Sequence, residues 1–318
     1  MDILEKLKAS ELKGRGGGAF STALKWELVK KAKGKNKYVI CNASEGEPNV
    51  FKDKYILDNY LPDVINGINL AVDFIKAKDA YIYLNKNYNL KGSVGKCIVF
   101  KKTSGYIGGE ETAAVEAIEG KRAEPRIKPP FLTEVGLFNC PTLMNNVETF
   151  YYVSKIDKGE YNKTRFYSIN GDVSNEGVYE LPIDMPISDI LKQTGNYPDF
   201  DFFAQVGGGV SGEIMLPQEL KVPAFGAGSI TIYNKKTTDI YALMEKWAEF
   251  FHTGNCDKCT PCREGAFRIY EMIKNRDINY EVLDDIFFNL KKSSFCALGR
   301  SIPLPFESLI KKVKWKLK

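Results

Sequence analysis

Histidine is almost missing from this chain: His252 is the only one in 318 residues. A zinc set containing histidine would have to rest on that one side chain, four residues ahead of Cys256. Long apolar runs are missing too. None approaches the roughly 18 residues of a bilayer-spanning helix, so no membrane insertion is expected. The opening Met1-Asp2-Ile3-Leu4-Glu5-Lys6 has mixed charges and no apolar core of secretory-signal length. Internal repeats and low-complexity linkers are absent. The net charge is only +5. The basic tail Lys311-Lys312-Val313-Lys314-Trp315-Lys316 therefore reads as a solvated helix end or docking surface rather than a nucleic-acid arm. Seven cysteines fit a reducing, cytoplasmic setting better than a disulfide framework.

The remaining composition, 44% hydrophobic and 27% charged, is that of a soluble protein. The length suffices for about two or three domains with a sizeable core. The most specific stretch is Cys256-Asp257-Lys258-Cys259-Thr260-Pro261-Cys262. Two residues separate each pair of thiols, so one short loop can aim three sulfurs at one point. A cubane iron–sulfur cluster takes three such thiolates and a fourth from elsewhere. Cys296, in Ser294-Phe295-Cys296-Ala297-Leu298-Gly299, is the candidate fourth. Zinc usually takes two separated pairs of ligands, and three buried apolar cysteines would rarely repeat at this spacing. Both remain as alternatives.

The first half is rich in features that suit an anionic ligand. Gly14-Arg15-Gly16-Gly17-Gly18-Ala19-Phe20 precedes a helix starting near Ser21 or Thr22. Glycines let backbone N–H groups approach a phosphate, and a helix N-terminus favours negative charge. No strand clearly precedes this loop, so as a dinucleotide fingerprint it is weak, and a flexible glycine loop is the bland alternative. Lys37 to Asn42 reads as a buried strand running into Ala43-Ser44-Glu45-Gly46-Glu47-Pro48. Ligands of open α/β sheets bind at such carboxyl ends. A helix is expected from Tyr60 or Leu61 to about Ile75, and strands at Ala80–Leu84 and Lys96–Phe100. Gly108-Gly109-Glu110-Glu111-Thr112 then opens a helix to Ile118, with two carboxylates at its start. Lys121 to Phe131 is a proline-fixed loop rich in cations that could close over an anion. Asn145-Asn146-Val147-Glu148-Thr149 opens another helix with two amides.

These blocks, in this order and over nearly the whole chain, resemble the flavin-bearing NADH-oxidising subunit of respiratory complex I. That family includes the equivalent subunits of NAD-linked hydrogenases and formate dehydrogenases. The resemblance implies a multidomain α/β and α+β fold. Residues 1–160 would form a Rossmann-like FMN- and NADH-binding domain, residues 161–236 a β-grasp (ubiquitin-like, SLBB-like) domain, and residues 237–318 a helical bundle carrying a [4Fe-4S] cluster. Flavin contacts are implied for Gly14, Gly16, Lys25, Asn42, Glu45, Tyr106, Gly109, Glu110, Glu111, Asn145, Asn146 and Thr149. NAD(H) contacts are implied for Phe20, Glu47, Glu111, Lys128 and Phe131, with Glu47 facing the adenosine ribose. Glu45 and Glu111 are the carboxylates assigned to the catalytic site, and Cys256, Cys259, Cys262 and Cys296 are the cluster ligands. Cys41, Cys97 and Cys140 match no ligand position and read as packing residues.

A flavin is needed between a two-electron hydride donor and a one-electron cluster because it can do both. The implied activity is hydride transfer from NADH to FMN, then single-electron steps to the cluster and on to partner iron–sulfur subunits. A thioredoxin-like [2Fe-2S] subunit would be among them, and any membrane association would run through such partners. The alternative is an electron-transfer or assembly subunit that keeps the cluster without oxidising NADH. The sequence departs from the family at Ser44, where Asp is usual, and at Leu28, where an aromatic is common. It is also short between Tyr83 and Gly105, carries its histidine one position away from the usual place, and lacks the thioredoxin-like and ferredoxin extensions of some relatives.

From Thr164 onward, strands are expected at Thr164–Val173, Gly177–Pro182, Phe202–Val206 and Ser229–Tyr233, with a helix at Ile187–Thr194 and a tight turn at Gly207–Gly209. Helical spacing of Ile240, Leu243, Met244, Trp247, Phe250 and Phe251 predicts a helix over Thr238–Phe251. Two more are expected, at about Glu264–Asn275 and Tyr280–Lys291.

Overall fold

The computed structural model describes residues 2–313; Lys314, Trp315 and Lys316 of the basic tail lie outside the described residues. Helix α1 (Ile3–Ser10) starts on a capping box between Asp2 and Glu5. Helix α2 (Thr22–Lys31) follows the glycine loop, with Ser21 as its cap accepting from Leu24 N. The first sheet is formed by β1 (Tyr38–Ala43), β2 (Asp79–Leu84), β3 (Ile98–Lys101) and β4 (Thr142–Asn146), in the order β3-β2-β1-β4. All its pairings are parallel. Its connections include α3 (Lys52–Ile75) and α4 (Glu111–Ile118), and α5 (Val147–Lys158) follows β4.

Alternate strand residues feed two cores. Val39, Cys41, Ala43 and Leu143 pack with α2, α3 and α5, whereas Tyr38, Ile40, Tyr83 and Met144 pack with α4. A parallel sheet covered on both faces results, which is why these strands read as continuous apolar runs. The close crossing of α3 and α5 requires Gly67, because a Cβ there would lie 2.0 Å from Phe150 O.

A second, five-stranded sheet has the order β6-β5-β9-β7-β8. It is built from β5 (Thr164–Gly171), β6 (Gly177–Pro182), β7 (Phe202–Val206), β8 (Glu213–Met215) and β9 (Ser229–Asn234), with α6 (Ile187–Gln193) packed on its core. Strands β5 and β9 are parallel and the other pairs antiparallel. Helices α7 (Ile240–Gly254), α8 (Thr260–Lys274), α9 (Tyr280–Ser293), α10 (Ala297–Ser301) and α11 (Pro303–Lys312) share a fourth core around Trp247, Phe251, Phe287 and Phe306. Lys312 ties α11 to this sheet through Glu213 (2.8 Å) and Glu219 (3.0 Å).

Several expectations need correction. Helix α3 begins at Lys52; the expected start near Tyr60 is a kink, where Tyr60 leaves helical geometry ahead of Pro62. Its N-terminus has no cap from Phe51; Asp53 N and Lys54 N donate instead to the Glu45 carboxylate. Strand β4 was not expected, because only its middle is apolar and its order comes from pairing with β1. Strand β8 and helices α1, α10 and α11 were also missed. Helix α8 starts at Thr260, not Glu264, which places Cys262 inside its first turn.

Candidate functional site

The carboxyl ends of β1 and β4 lie side by side, with Asn42 opposite Asn146 and Cys41 opposite Asn145. Over them opens a cavity of about 570 Å³. All the expected cofactor-binding residues line it except Lys128 and Phe131. Lys128 joins from its rim, donating to Glu110 Oε1 (3.0 Å) and Glu111 Oε1 (2.7 Å). Phe131 stands 52% exposed and Phe20, on the glycine loop, 49% exposed. Leu28, on α2, is exposed and does not line the cavity.

Each wall is held by partners that the fold supplies. Lys25 Nζ donates to Met144 O (2.9 Å) and to Glu111 Oε2 (3.1 Å). Burial pushes the Glu111 carboxyl up, but Lys25 and Lys128 outweigh it and hold the group below its usual range. Glu110 caps α4, accepting from Thr112 N (2.8 Å) and Ala113 N (3.0 Å). Its second oxygen takes Lys128. Asn42 Nδ2 donates to Gly109 O (2.9 Å) and Asn42 Oδ1 accepts from Ser44 Oγ (2.7 Å). Glu45 accepts from the two backbone N–H groups of α3 and from Tyr88 OH (2.9 Å). Burial, then the neighbouring Asp53 charge, still push its pKa up to about 7. Glu47 reaches the second sheet: its Oε1 accepts from Val210 N (2.9 Å), Ser211 N (2.7 Å) and Ser211 Oγ (2.8 Å). Its Oε2 accepts from Tyr106 OH (3.1 Å). The glycines at 208 and 209 make that approach possible, since a Cβ there would collide with Glu47 and Pro48.

An ionic cluster that no sequence motif announced lies beneath the cavity. Lys52, 2% exposed, pairs with Asp53 (2.5 Å) and Glu148 (3.0 Å). Burial pulls the Lys52 ammonium down, but Asp53, Glu148 and Glu45 outweigh it and hold the group above its usual range. Glu148 also accepts from Phe166 N (3.0 Å) and lies 3.9 Å from the Arg15 guanidinium. Arg15 N donates to Thr149 Oγ1 (3.0 Å), which anchors the glycine loop to α5. Lys102, also buried, donates to Ser44 O (3.0 Å) behind the same loop. None of these charges carries a local sign of burial.

The two amides play different parts. Asn146 is committed to protein partners: its Oδ1 caps α5 through Glu148 N (3.0 Å) and its Nδ2 donates to Asp53 Oδ2 (2.5 Å). Asn145 is buried and its Oδ1 has no partner. A buried amide oxygen left unsatisfied is what a ligand donor would meet. Gly18 points the same way: an added Cβ would meet nothing within 4 Å. Packing does not require glycine there, and the bare backbone leaves room for a ligand to approach closely. The cavity size, this orphaned oxygen and the bare loop fit a flavin phosphate and ring.

Beside this cavity, Cys256, Cys259, Cys262 and Cys296 line a second pocket with Ile107, Pro125, Asn255, Lys258, Phe295 and Leu298. Cys259 is the residue before α8, and Cys296 the residue before α10. Four thiols from two separate segments line this one pocket. Zinc draws its sulfurs to about 2.3 Å from a single point, whereas a cubane spreads four thiolates over four irons. The donor set therefore suits a cluster. Burial first, and neighbouring thiols next, push the Cys262 thiol far above its usual range. Buried thiols of this kind become ligands only when a cation supplies the missing charge. The histidine takes no part: His252 stacks on Tyr270 at 5.4 Å and does not line the pocket. Cys41 and Cys97 are buried packing residues, and Cys140 Sγ donates to Phe138 O. Ile107 and Leu298 line both pockets.

The family profile described as the Nuo51 FMN-binding domain matches residues 7–155, and the NADH-ubiquinone oxidoreductase-F iron-sulfur binding region matches residues 242–317. The chain is 32% identical to the second F-type subunit of NADH-quinone oxidoreductase in Rhizobium meliloti over 366 aligned positions, covering 98% of this chain and 86% of that protein. It is 31% identical to the F-type subunit of NADH-quinone oxidoreductase in Streptomyces coelicolor, covering 98% of this chain and 81% of that protein. Among solved structures, an NAD+-reducing [NiFe]-hydrogenase in its H2-reduced state matches with a TM-score of 0.90 at 27% identity. That match covers 99% of this chain but only 62% of the hydrogenase chain.

Proposed function

Since this chain belongs to the family of F-type NADH-quinone oxidoreductase subunits, we propose that it is the electron-entry module of a larger redox assembly, passing electrons from NADH through FMN and one [4Fe-4S] cluster to a partner subunit. It is an NADH-oxidising oxidoreductase subunit with an FMN-binding region and a [4Fe-4S]-binding region. The observation that carries the route is the shared wall of Ile107 and Leu298 between the large cavity and the thiol pocket. FMN bound in the cavity supplies conversion of a two-electron hydride into single electrons.

The residues of the chain bind and orient. In this reading, the Gly14 to Gly18 loop and the unsatisfied Asn145 take the flavin phosphate and polar ring edge. Gly14, Gly16, Lys25, Asn42, Glu45, Tyr106, Gly109, Glu110, Glu111, Asn145, Asn146 and Thr149 form the flavin site. Phe20, Glu47, Glu111, Lys128 and Phe131 receive the dinucleotide, with the exposed rings of Phe20 and Phe131 available for stacking. Glu47 keeps acceptor capacity on Oε2 beyond Tyr106, enough to meet a free ribose hydroxyl and to repel a 2′-phosphate. Glu45 and Glu111 act by charge and position. The four thiols hold the cluster.

We read the parallel-sheet unit, residues 1–160, as Rossmann-like, and the five-stranded sheet with α6, residues 161–236, as a β-grasp domain. The helical bundle is then residues 237–318. A thioredoxin-like [2Fe-2S] subunit is the expected neighbour, and the parent assembly is of the complex I, hydrogenase or formate dehydrogenase kind. Among the described residues, no helix is long and apolar enough to cross a membrane.

The test is anaerobic purification followed by optical and EPR spectra with NADH and with NADPH. Flavin bleaching and a reduced-cluster signal with NADH, and slower bleaching with NADPH, are expected. A cluster signal from dithionite but no bleaching by either nucleotide would favour the alternative, an electron-transfer or assembly subunit that keeps the cluster without oxidising NADH.

A further inference from the structure

Lys102 is 4% exposed, and among the described residues no carboxylate partners it. It follows β3 directly, and its N–H donates to Leu84 O (2.7 Å), which carries the pairing of β2 and β3 one residue further. The side chain therefore starts from the carboxyl end of the sheet, where ligands of open α/β sheets bind. Its Nζ donates to Ser44 O (3.0 Å), and a Cβ on Gly46 would lie 3.1 Å from it. Ser44 and Gly46 both line the large cavity. The ammonium thus stands directly behind the cavity wall.

The other lysines of that wall are matched by carboxylates. Glu111 takes Lys25 (3.1 Å) and Lys128 (2.7 Å), and Asp53 and Glu148 take Lys52. Lys102 has only a neutral carbonyl. Burial first, and the Lys86 charge next, pull its ammonium down to about 8, so it is still a cation at neutral pH. A charge buried without a counter-ion is costly to the resting protein. The loop does not depend on Lys102 alone for its shape. Asn85 Nδ2 donates to Glu45 O, and Asn85 N donates to Ala43 O (2.8 Å).

We propose that Lys102 sets the reduction potential of the bound flavin: its unmatched charge behind Ser44 and Gly46 favours the flavin that has received a hydride. The inference rests on the reading that FMN occupies the cavity. Hydride transfer moves two electrons and one proton together, and NADH leaves as NAD+. One negative charge thereby enters the cavity. A fixed cation placed where charge develops stabilises the product more than the reactant. The buried setting leaves little water to screen it.

The experiment uses the intact, flavin-loaded protein and its Lys102→Met, Lys102→Gln and Lys101→Met variants. Glutamine removes the charge but keeps a donor for Ser44 O. Lys101 is exposed and donates to Tyr88 O (2.9 Å), so it controls for the loss of one charge. Anaerobic titration of the flavin absorbance against a dye of known potential reads the two-electron midpoint. Fluorescence titration reads the affinity for oxidised FMN. Both Lys102 variants should shift the midpoint negative by about 30 mV, the equivalent of about 10-fold in the two-electron equilibrium. Their affinity for oxidised FMN should stay near native, and Lys101→Met should match the native protein in both readings. Native midpoints in both Lys102 variants would overturn the proposal, as would an equal shift in Lys101→Met. A native midpoint in Lys102→Gln alone would overturn it too, because Lys102 would then only pin the loop. So would loss of oxidised FMN from both Lys102 variants, since the cation would then serve binding of the resting ligand. Native protein that takes up no FMN would sink the flavin reading, and this proposal with it.

Discussion

The two neighbouring pockets are built on opposite principles. In the flavin cavity, the charged groups have protein partners before any ligand arrives: Lys25 with Glu111, Glu110 with the start of α4, Glu47 with Val210 and Ser211, Lys52 with Asp53 and Glu148. Only isolated atoms such as Asn145 Oδ1 are left unmet. In the thiol pocket, desolvation first and neighbouring thiols after it oppose ionisation of Cys256, Cys262 and Cys296. The first site is preorganised by its own partners, whereas the second gains its stabilising charge from a bound cation. A preorganised site tolerates loss of its ligand; a frustrated one does not.

The largest expected effect follows from that contrast. Cys296→Ser should lose most of the cluster iron, and amide exchange should quicken across residues 255–262 and 294–299. Cys97→Ser should keep both, and removal of flavin should leave exchange in α3 and α5 near native. Iron analysis and hydrogen-exchange mass spectrometry check this. Equal loosening of both regions on flavin removal would erase the distinction.

Next comes the ionic cluster that makes the cavity rigid. Lys52→Met strands two buried carboxylates, so a loss of about 3–5 kcal/mol in unfolding free energy is expected by urea titration. A loss under about 1 kcal/mol would mean that the network carries little of the preorganisation.

The paired amides offer a finer cut. Asn145→Ala should weaken FMN binding about 10-fold, the worth of one ligand hydrogen bond, with little change in stability. Asn146→Ala should instead cost about 1 kcal/mol of stability as a lost helix cap. Fluorescence titration with FMN and urea unfolding separate them, and reversed outcomes would exchange their roles.

The smallest effect concerns pH. In the folded, flavin-free protein Glu45 has its pKa raised from 4.5 to about 7. The folded state then binds the proton more tightly than the unfolded state, so stability is full below the ordinary Glu range and falls as pH rises towards 7. Urea midpoints between pH 5 and pH 8 should decline, and Glu45→Gln should flatten that decline. Stability that rises across the window would show that the amides of α3 hold Glu45 as the anion.

The elements that the sequence disclosed are those whose cause is local. The apolar runs at β1 and β2, the Ser21 cap and the helical period of α7 need no distant partner to be read. Strand β4 and the first turns of α3 were not disclosed, because their order comes from β1 and from the Glu45 carboxylate. Lys52, Arg15 and Glu148 look like surface charges in a linear chain. They are buried only because three separate segments bring opposite charges to one place.

Glu47 marks the same boundary. Its place after a strand suggested a ligand contact, and it does line the cavity, but nothing local announced that its first oxygen would hold the 208–211 loop. The sequence alone picked out Cys256, Cys259 and Cys262, because two-residue spacing is a property of one loop; only the fold brings Cys296 beside them. It also determined the glycine loop and the strand ends where ligands bind. Only the tertiary structure decided which amide is free, which charges are sealed, and that Ile107 and Leu298 stand between the two pockets. Those outcomes depend on contacts between residues far apart in the chain, and the energy of such contacts is set by burial that no local pattern records.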